Sequence, residues 1–178
     1  MPKKPIDLRI LTKYDRPDKV IEIHENLAVH PAYSIVVGDG ASGKTLAWIN
    51  LLHKVKKNAK HNIVIFSETI NDTLEKACEK LGGVLYDSLF DEFGNNRIEQ
   101  IMTFQKEQRK KKIKLRPVYI ILDDFIDNQV FNSRRSCVAS LFKRGKHCNI
   151  SVILTSQYFK DIPRNIRQLA HYRFIFNP

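Results

Sequence analysis

Eight consecutive residues, Gly38-Asp39-Gly40-Ala41-Ser42-Gly43-Lys44-Thr45, match the pattern G-x-x-x-x-G-K-[ST]. Each position has a chemical reason. Glycines let the backbone wrap so that its N–H groups point inward at phosphate oxygens, and the N-terminus of a following helix adds positive potential. Lys44 can reach the β- and γ-phosphates of a nucleoside triphosphate, and the Thr45 hydroxyl can sit on Mg²⁺. A second segment, Tyr119-Ile120-Ile121-Leu122-Asp123-Asp124, is an apolar run ending in two carboxylates. Downstream of a phosphate loop this is the place of the metal-binding acid. Asp123 would hold Mg²⁺ through its water shell, and Asp124 would orient or deprotonate an attacking water. Two acids rather than one favour hydrolysis, where a water must be activated. Glu68 follows another apolar run at 63–66 and competes for the role of base, but Asp124 adjoins the metal aspartate and is preferred. Asp127 reads as a loop or helix-cap residue. A third apolar run, Val152-Ile153-Leu154-Thr155-Ser156-Gln157, ends in polar residues. Gln157 is placed to hydrogen-bond the γ-phosphate or the attacking water and so to report nucleotide state.

Hydrolysis in a multimeric ATPase calls for an arginine from a neighbouring subunit to neutralise transition-state charge. Arg134, Arg135 and Arg144 lie between the acidic run and the glutamine run, and Arg164, Arg167 and Arg173 follow. Sequence alone leaves the choice among them open.

These residues need strands and helices to hold them. Residues 33–37 and 62–66 are apolar runs that read as buried strands, 118–122, 150–154 and 172–176 read as three further strands, and 84–86 is a shorter candidate. Helical spacing predicts helices over 45–58, 72–81, 97–112 and 133–143. Asp72 or Thr73 is the expected cap of the second and Gly82 its stop. Val20-Ile21-Glu22-Ile23 is a weaker first strand, inside an N-terminal arm or edge segment at 1–30 that carries several prolines. Strands alternating with helices imply an α/β fold, a mostly parallel central sheet with helices on both faces, over 31–178. Ligands of such sheets bind beyond the carboxyl ends of the strands, and every motif above falls at such an end.

The chain has 178 residues, room for one sizeable core, and a formal net charge of +11 from 30 Lys and Arg against 19 Asp and Glu. That excess points to a polyanionic partner. Residues 106–116 contribute Lys106, Arg109, Lys110, Lys111, Lys112, Lys114 and Arg116 against Glu107, and the first helix adds Lys54, Lys56, Lys57 and Lys60. Contact with a phosphate backbone would be tolerant of sequence and would weaken steeply with salt. No apolar run approaches the length that spans a bilayer, and the start shows no signal-peptide core. Cys78, Cys137 and Cys148 are widely spaced and form no CxxC pair, so neither a zinc ribbon nor a disulfide framework is expected. No N-K-x-D guanine motif is present, which argues against a GTPase.

The stretch from Leu141-Phe142-Lys143-Arg144-Gly145-Lys146-His147-Cys148 through Thr155-Ser156-Gln157-Tyr158-Phe159, then Ile162-Pro163-Arg164-Asn165-Ile166-Arg167, resembles the genome-packaging ATPases of large DNA viruses. These include the poxvirus-type enzymes and their virophage and transposon relatives, in the FtsK–HerA superfamily. The resemblance spans about 33–176. It implies a RecA-like P-loop fold, ATP on residues 38–45, and Mg²⁺ and water handling at Asp123 and Asp124. It also implies a sensor at Gln157 and a trans-acting arginine among Arg134, Arg135 and Arg144. It further implies a homo-oligomeric ring, hexameric or pentameric, that threads double-stranded DNA into a preformed capsid. Capsid or portal-vertex proteins would then be partners, no membrane partner is expected, and the setting is the host cytoplasm at virus assembly sites or the virion itself. Members continue well past the strand at 172–176, so the end at Pro178 implies either a compact member or a chain lacking a C-terminal part. The competing expectations are a small P-loop kinase and a nucleotide-binding DNA switch that does not hydrolyse.

Overall fold

The computed structural model describes residues 30–56, 61–124 and 136–176. Of the expected arm only His30 falls in this set. The strand at 20–23, Asp127, Arg134, Arg135 and the side chains of Lys54, Lys56, Lys57 and Lys60 lie outside the described residues.

Six strands form a single parallel sheet: β1 (Tyr33–Val37), β2 (Asn62–Ser67), β3 (Val84–Tyr86), β4 (Val118–Asp123), β5 (Ile150–Ser156) and β6 (Tyr172–Ile175). Their order is β3-β2-β4-β5-β1-β6, and every pairing is parallel. The two central strands, β4 and β5, are buried along their whole length, as is their neighbour β1. β-branched residues suit this position, because a parallel strand packs helices on both sides.

The helices are α1 (Lys44–Lys56), α2 (Asp72–Leu81), α3 (Arg97–Lys110), α4 (Cys137–Arg144) and α5 (Arg164–Leu169). Alternation along the strands divides the core in two. Val36, Ile63, Ile65, Tyr119, Ile121 and Ile153 face α1 and α2. Ile35, Ile120, Leu122, Val152 and Leu154 face α3, α4 and α5. Each fully buried aliphatic side chain contributes about 1.5–3 kcal/mol, so the two layers together fix the strand register.

Helix ends depart from expectation in instructive ways. The cap of α2 is Asn71, whose side chain accepts from the Leu74 N–H, rather than Asp72 or Thr73. Gly82 does stop the helix, in the left-handed region, with its N–H and that of Gly83 returning to the Glu79 and Cys78 carbonyls. For the fourth helix, residues 133–135 lie outside the described residues; Ser136 is extended and caps the Ala139 N–H, so the helix begins at Cys137. The short α5 has too few turns to show a period in the sequence, and Pro163 at its cap is the remaining local signal. All three cysteines are free and buried.

Candidate nucleotide and metal site

The strand order places β5 between β1, which feeds the glycine loop, and β4, which ends in the two acids. Register aligns the three carboxyl ends. Val37 pairs with Ser156, and Ser67 pairs with Asp123. Gly38 continues this alignment by donating its N–H to the Ser156 carbonyl at 3.2 Å. The loop, the acids and Gln157 therefore meet at one end of the sheet.

Residues 38–45 make a sharp return from β1 into α1. Ala41 and Gly43 both take positive φ, 60° and 97°. A Cβ on Gly38 would meet the Ser42 hydroxyl at 2.6 Å and the Phe176 Cβ at 2.8 Å, so only glycine fits the start of the loop. Gly40 faces open space. The Asp39 carbonyl accepts from the Ser42 N–H and helps close the turn. The Ser42 hydroxyl is buried and has no hydrogen-bond partner among the described residues. An orphaned hydroxyl in a loop of this shape suits a phosphate oxygen.

Lys44 is 5% exposed. Its ammonium donates to the Gly38 carbonyl at 2.7 Å and the Asp39 carbonyl at 3.0 Å, and lies 3.7 Å from an Asp124 oxygen. It thus links the glycine loop to the second acid. Thr45 donates to Asp123 Oδ2 at 3.3 Å, which brings together two oxygen donors suited to a hard divalent cation. The other Asp123 oxygen accepts from the Trp48 indole at 2.9 Å and from the Thr155 hydroxyl at 3.0 Å. Burial pushes the Asp123 carboxyl above the ordinary range, with Asp124 adding to the effect, while the Trp48, Thr155 and Thr45 hydrogen bonds oppose it. A divalent cation would reverse that balance.

Asp124 is different. It is partly exposed and sits at φ 48°, a conformation that aspartate tolerates better than most residues. Its N–H donates to the Thr155 hydroxyl at 2.7 Å. That hydroxyl has one hydrogen to give, and Asp123 at 3.0 Å is a better acceptor than Asp124 Oδ1 at 3.4 Å. Asp124 is left with a freer carboxylate at the mouth of the site. Glu68, exposed one residue past Ser67, borders the same mouth on the β2 side. Gln157, also exposed, follows the strand end that pairs with Val37.

Arg144 is the one member of its expected trio among the described residues. It is exposed at the C-terminal end of α4, at the opposite end of the sheet from the glycine loop. Within one chain it cannot serve that loop. Arg164 is exposed at the start of α5, Arg167 lies 5.0 Å from the Phe159 ring centroid, and Arg173 donates to the Arg167 carbonyl.

Sequence reasoning missed two members of the cluster, Trp48 and Thr155. Trp48 is the single tryptophan and lies one helical turn after Lys44. Its indole N–H is buried and required an acceptor, which was the available signal. Thr155 is 0% exposed and bridges both acids. Replacing it with valine should destabilise the fold by about 1–3 kcal/mol, because the Asp124 N–H and a buried Asp123 oxygen both lose a partner. Urea denaturation measures this, and serine at the same position should recover most of the loss. A Thr155→Val chain as stable as the parent would show that the hydroxyl is dispensable.

A family model described as Poxvirus A32 protein matches residues 22–177. The "Uncharacterized protein 015R" of Frog virus 3 (isolate Goorha) is 28% identical over 145 residues, covering 80% of this chain and 42% of that protein. The chain therefore spans less than half the length of that relative. Among solved structures, the genome packaging NTPase B204 of Sulfolobus turreted icosahedral virus 2, in complex with ATP-gammaS, aligns with a TM-score of 0.57 at 18% identity, over 83% of this chain and 76% of that one. B204 of Sulfolobus turreted icosahedral virus, described as a DNA-packaging ATPase, aligns with a TM-score of 0.60 at 15% identity, over 84% and 78%. The cytoplasmic domain of EssC aligns with a TM-score of 0.54 at 18% identity, over 81% of this chain and 32% of that one. At these identities the likeness is one of fold, that of P-loop ATPases.

Proposed function

Since the chain belongs to the Poxvirus A32 protein family, we propose that it is an ATP-hydrolysing motor that drives double-stranded DNA into a viral capsid. The supporting observation is the meeting of Lys44, Thr45, Asp123, Thr155 and Asp124 through contacts of 2.7–3.7 Å at the carboxyl ends of three adjacent strands. Residues 38–45 would wrap the β- and γ-phosphates, with Lys44 leaving its loop carbonyls for phosphate oxygens. Thr45 and Asp123 would hold Mg²⁺, which neutralises charge on the β- and γ-oxygens when bound. Asp124 would take a proton from water as the water oxygen bonds to the γ-phosphorus and the bond to the β-bridging oxygen breaks, releasing ADP and phosphate. Gln157 would orient that water or sense the γ-phosphate.

Arg144 faces away from its own loop, so a role for it in catalysis requires a neighbouring subunit; Arg134 and Arg135 would be the other candidates for that trans role. A ring of five or six copies supplies such a neighbour. Residues 31–178 would form the ATPase domain, acting with capsid or portal-vertex proteins in the host cytoplasm or on the virion. No described helix is long and apolar enough to cross a membrane.

The test is the rate of phosphate release against protein concentration, with and without duplex DNA. Turnover per chain should rise with concentration, as subunits complete one another's sites, and rise again with DNA. Transfer of the γ-phosphate to a nucleoside would identify a kinase instead, and tight ATP binding without turnover would identify a switch.

A further inference from the structure

The far end of the sheet from the glycine loop carries a second chemically distinct surface. A depression of about 500 Å³ opens there, lined by Lys106, Arg109, Lys110, Arg144, His147 and Cys148. The lining comes from two separate parts of the chain. Lys106, Arg109 and Lys110 stand at helical spacing on one face of α3 near its C-terminal end. Arg144 closes α4, and His147 and Cys148 belong to the 3-10 turn Gly145–Cys148 that leads into β5. Arg109 donates to the His147 carbonyl at 3.0 Å and ties the two parts together. Cys148, 1% exposed, is the floor, and the basic side chains around it are exposed.

Basic residues near helix C-termini are favourable to the helix dipole on their own account. Two observations go further. None of the four lysines and arginines of the lining is ion-paired to a carboxylate among the described residues. Lys106 and Lys110 also stand four apart, where like charges destabilise a helix. A concave surface that gathers unneutralised cations from two elements is electrostatically complementary to a polyanion.

The segment after α3 is held clear of this depression. Gln105 donates to the Arg116 carbonyl, and Asn149 donates to the Leu115 carbonyl, which pins the run back toward the sheet. Lys111, Lys112 and Lys114 therefore belong to the same basic stretch of sequence but not to the lining. Lys146 is turned elsewhere, against His171 and the Tyr33 ring.

We propose that this basin is a seat for the sugar-phosphate backbone of nucleic acid, with Lys106, Arg109, Lys110 and Arg144 as its phosphate contacts. Planar guanidinium forks suit phosphodiester oxygens. The depression is larger than a single phosphate needs. Its lining holds no exposed apolar side chain of the kind that inserts into a lipid surface. The seat rests on the proposed motor function for its biological use but not for its chemistry, since nucleic-acid binding here needs no nucleotide.

The test compares two charge-matched variants of the full chain, Lys106→Gln/Lys110→Gln in the basin and Lys112→Gln/Lys114→Gln outside it. Binding to a short labelled duplex is followed by fluorescence anisotropy across a salt series without ATP. The basin pair should lose more than tenfold in affinity at about 0.1 M salt and lower the log–log salt slope by about 2, while the outer pair stays close to the parent. Equal losses from both pairs, or no loss from the basin pair, would overturn the proposal. So would binding of the parent to phosphatidylserine vesicles but not to duplex. Thermal melts of both variants report whether they fold; should the basin pair melt early, Lys106→Gln alone is used, with half the change in slope expected. Phosphate release by the unaltered chain without DNA scores the motor reading separately, so either can fail alone.

Discussion

Lys44→Ala should abolish the response to ATP: the nucleotide-dependent rise in melting temperature is expected to disappear and phosphate release to fall to background. The reason is the position of the ammonium. It is buried, it spans the entry of the glycine loop through the Gly38 and Asp39 carbonyls, and it reaches toward Asp124. In the proposed complex it exchanges those carbonyls for phosphate oxygens. Charge-assisted hydrogen bonds contribute about 1.5–3 kcal/mol each, so losing two weakens ATP binding by roughly 10²–10⁴-fold. Isothermal titration with a non-hydrolysable ATP analogue measures this directly. An alanine variant with parental affinity would remove Lys44 from the phosphate site.

The second large effect is selective. Asp124→Asn should lower turnover by about 10²–10⁴-fold while ATP affinity is kept or slightly raised. Asparagine is the right probe because it tolerates the positive φ of 48° as well as aspartate does, so the backbone and its N–H bond to Thr155 are retained. The carboxylate alone is removed. Affinity holds because the phosphates lose a nearby negative charge and no donor. Glu68→Gln is the companion variant, since Glu68 borders the same mouth. If Glu68→Gln stops turnover and Asp124→Asn does not, the base is Glu68, just past the end of β2, and Asp124 serves only to position Lys44. Single-turnover phosphate release distinguishes the two outcomes from a change in product release.

All five long runs appear as strands; the four inner ones were legible because burial on both faces writes near-continuous apolar runs, while β6, half-exposed at the sheet edge, showed only a shorter mixed run. The glycine loop and the acidic strand end were legible because phosphate and metal chemistry restrict residue type at fixed spacing. What could not be read was what depends on register. Thr155 looks like one more residue of a β-branched strand until β5 is placed between β1 and β4, where its hydroxyl meets both acids. Trp48 looks like core until its indole is found on Asp123. The caps at Asn71 and Ser136 were missed because several neighbouring polar residues could cap equally well, and backbone geometry selects one. The basin was hidden for a similar reason. A linear run at 106–116 suggested a basic segment, but three of its members join Arg144 and His147 in the lining while the rest take no part in it.

The insertion of β5 between β1 and β4 also has a mechanical meaning. The seven residues of this strand cover about 23 Å, at ~3.3 Å per residue. It starts just after His147 and Cys148 and ends at the doorstep of Gln157. Backbone hydrogen bonds clamp it on both sides, and its side chains are buried throughout. Such a strand is a strut that neither stretches nor bends at its middle. If the basin grips a backbone and Gln157 answers to the γ-phosphate, grip and trigger are two ends of one rigid bar. In the proposed motor, that geometry would favour tilting of whole subunits against one another, with each sheet carried along as a unit.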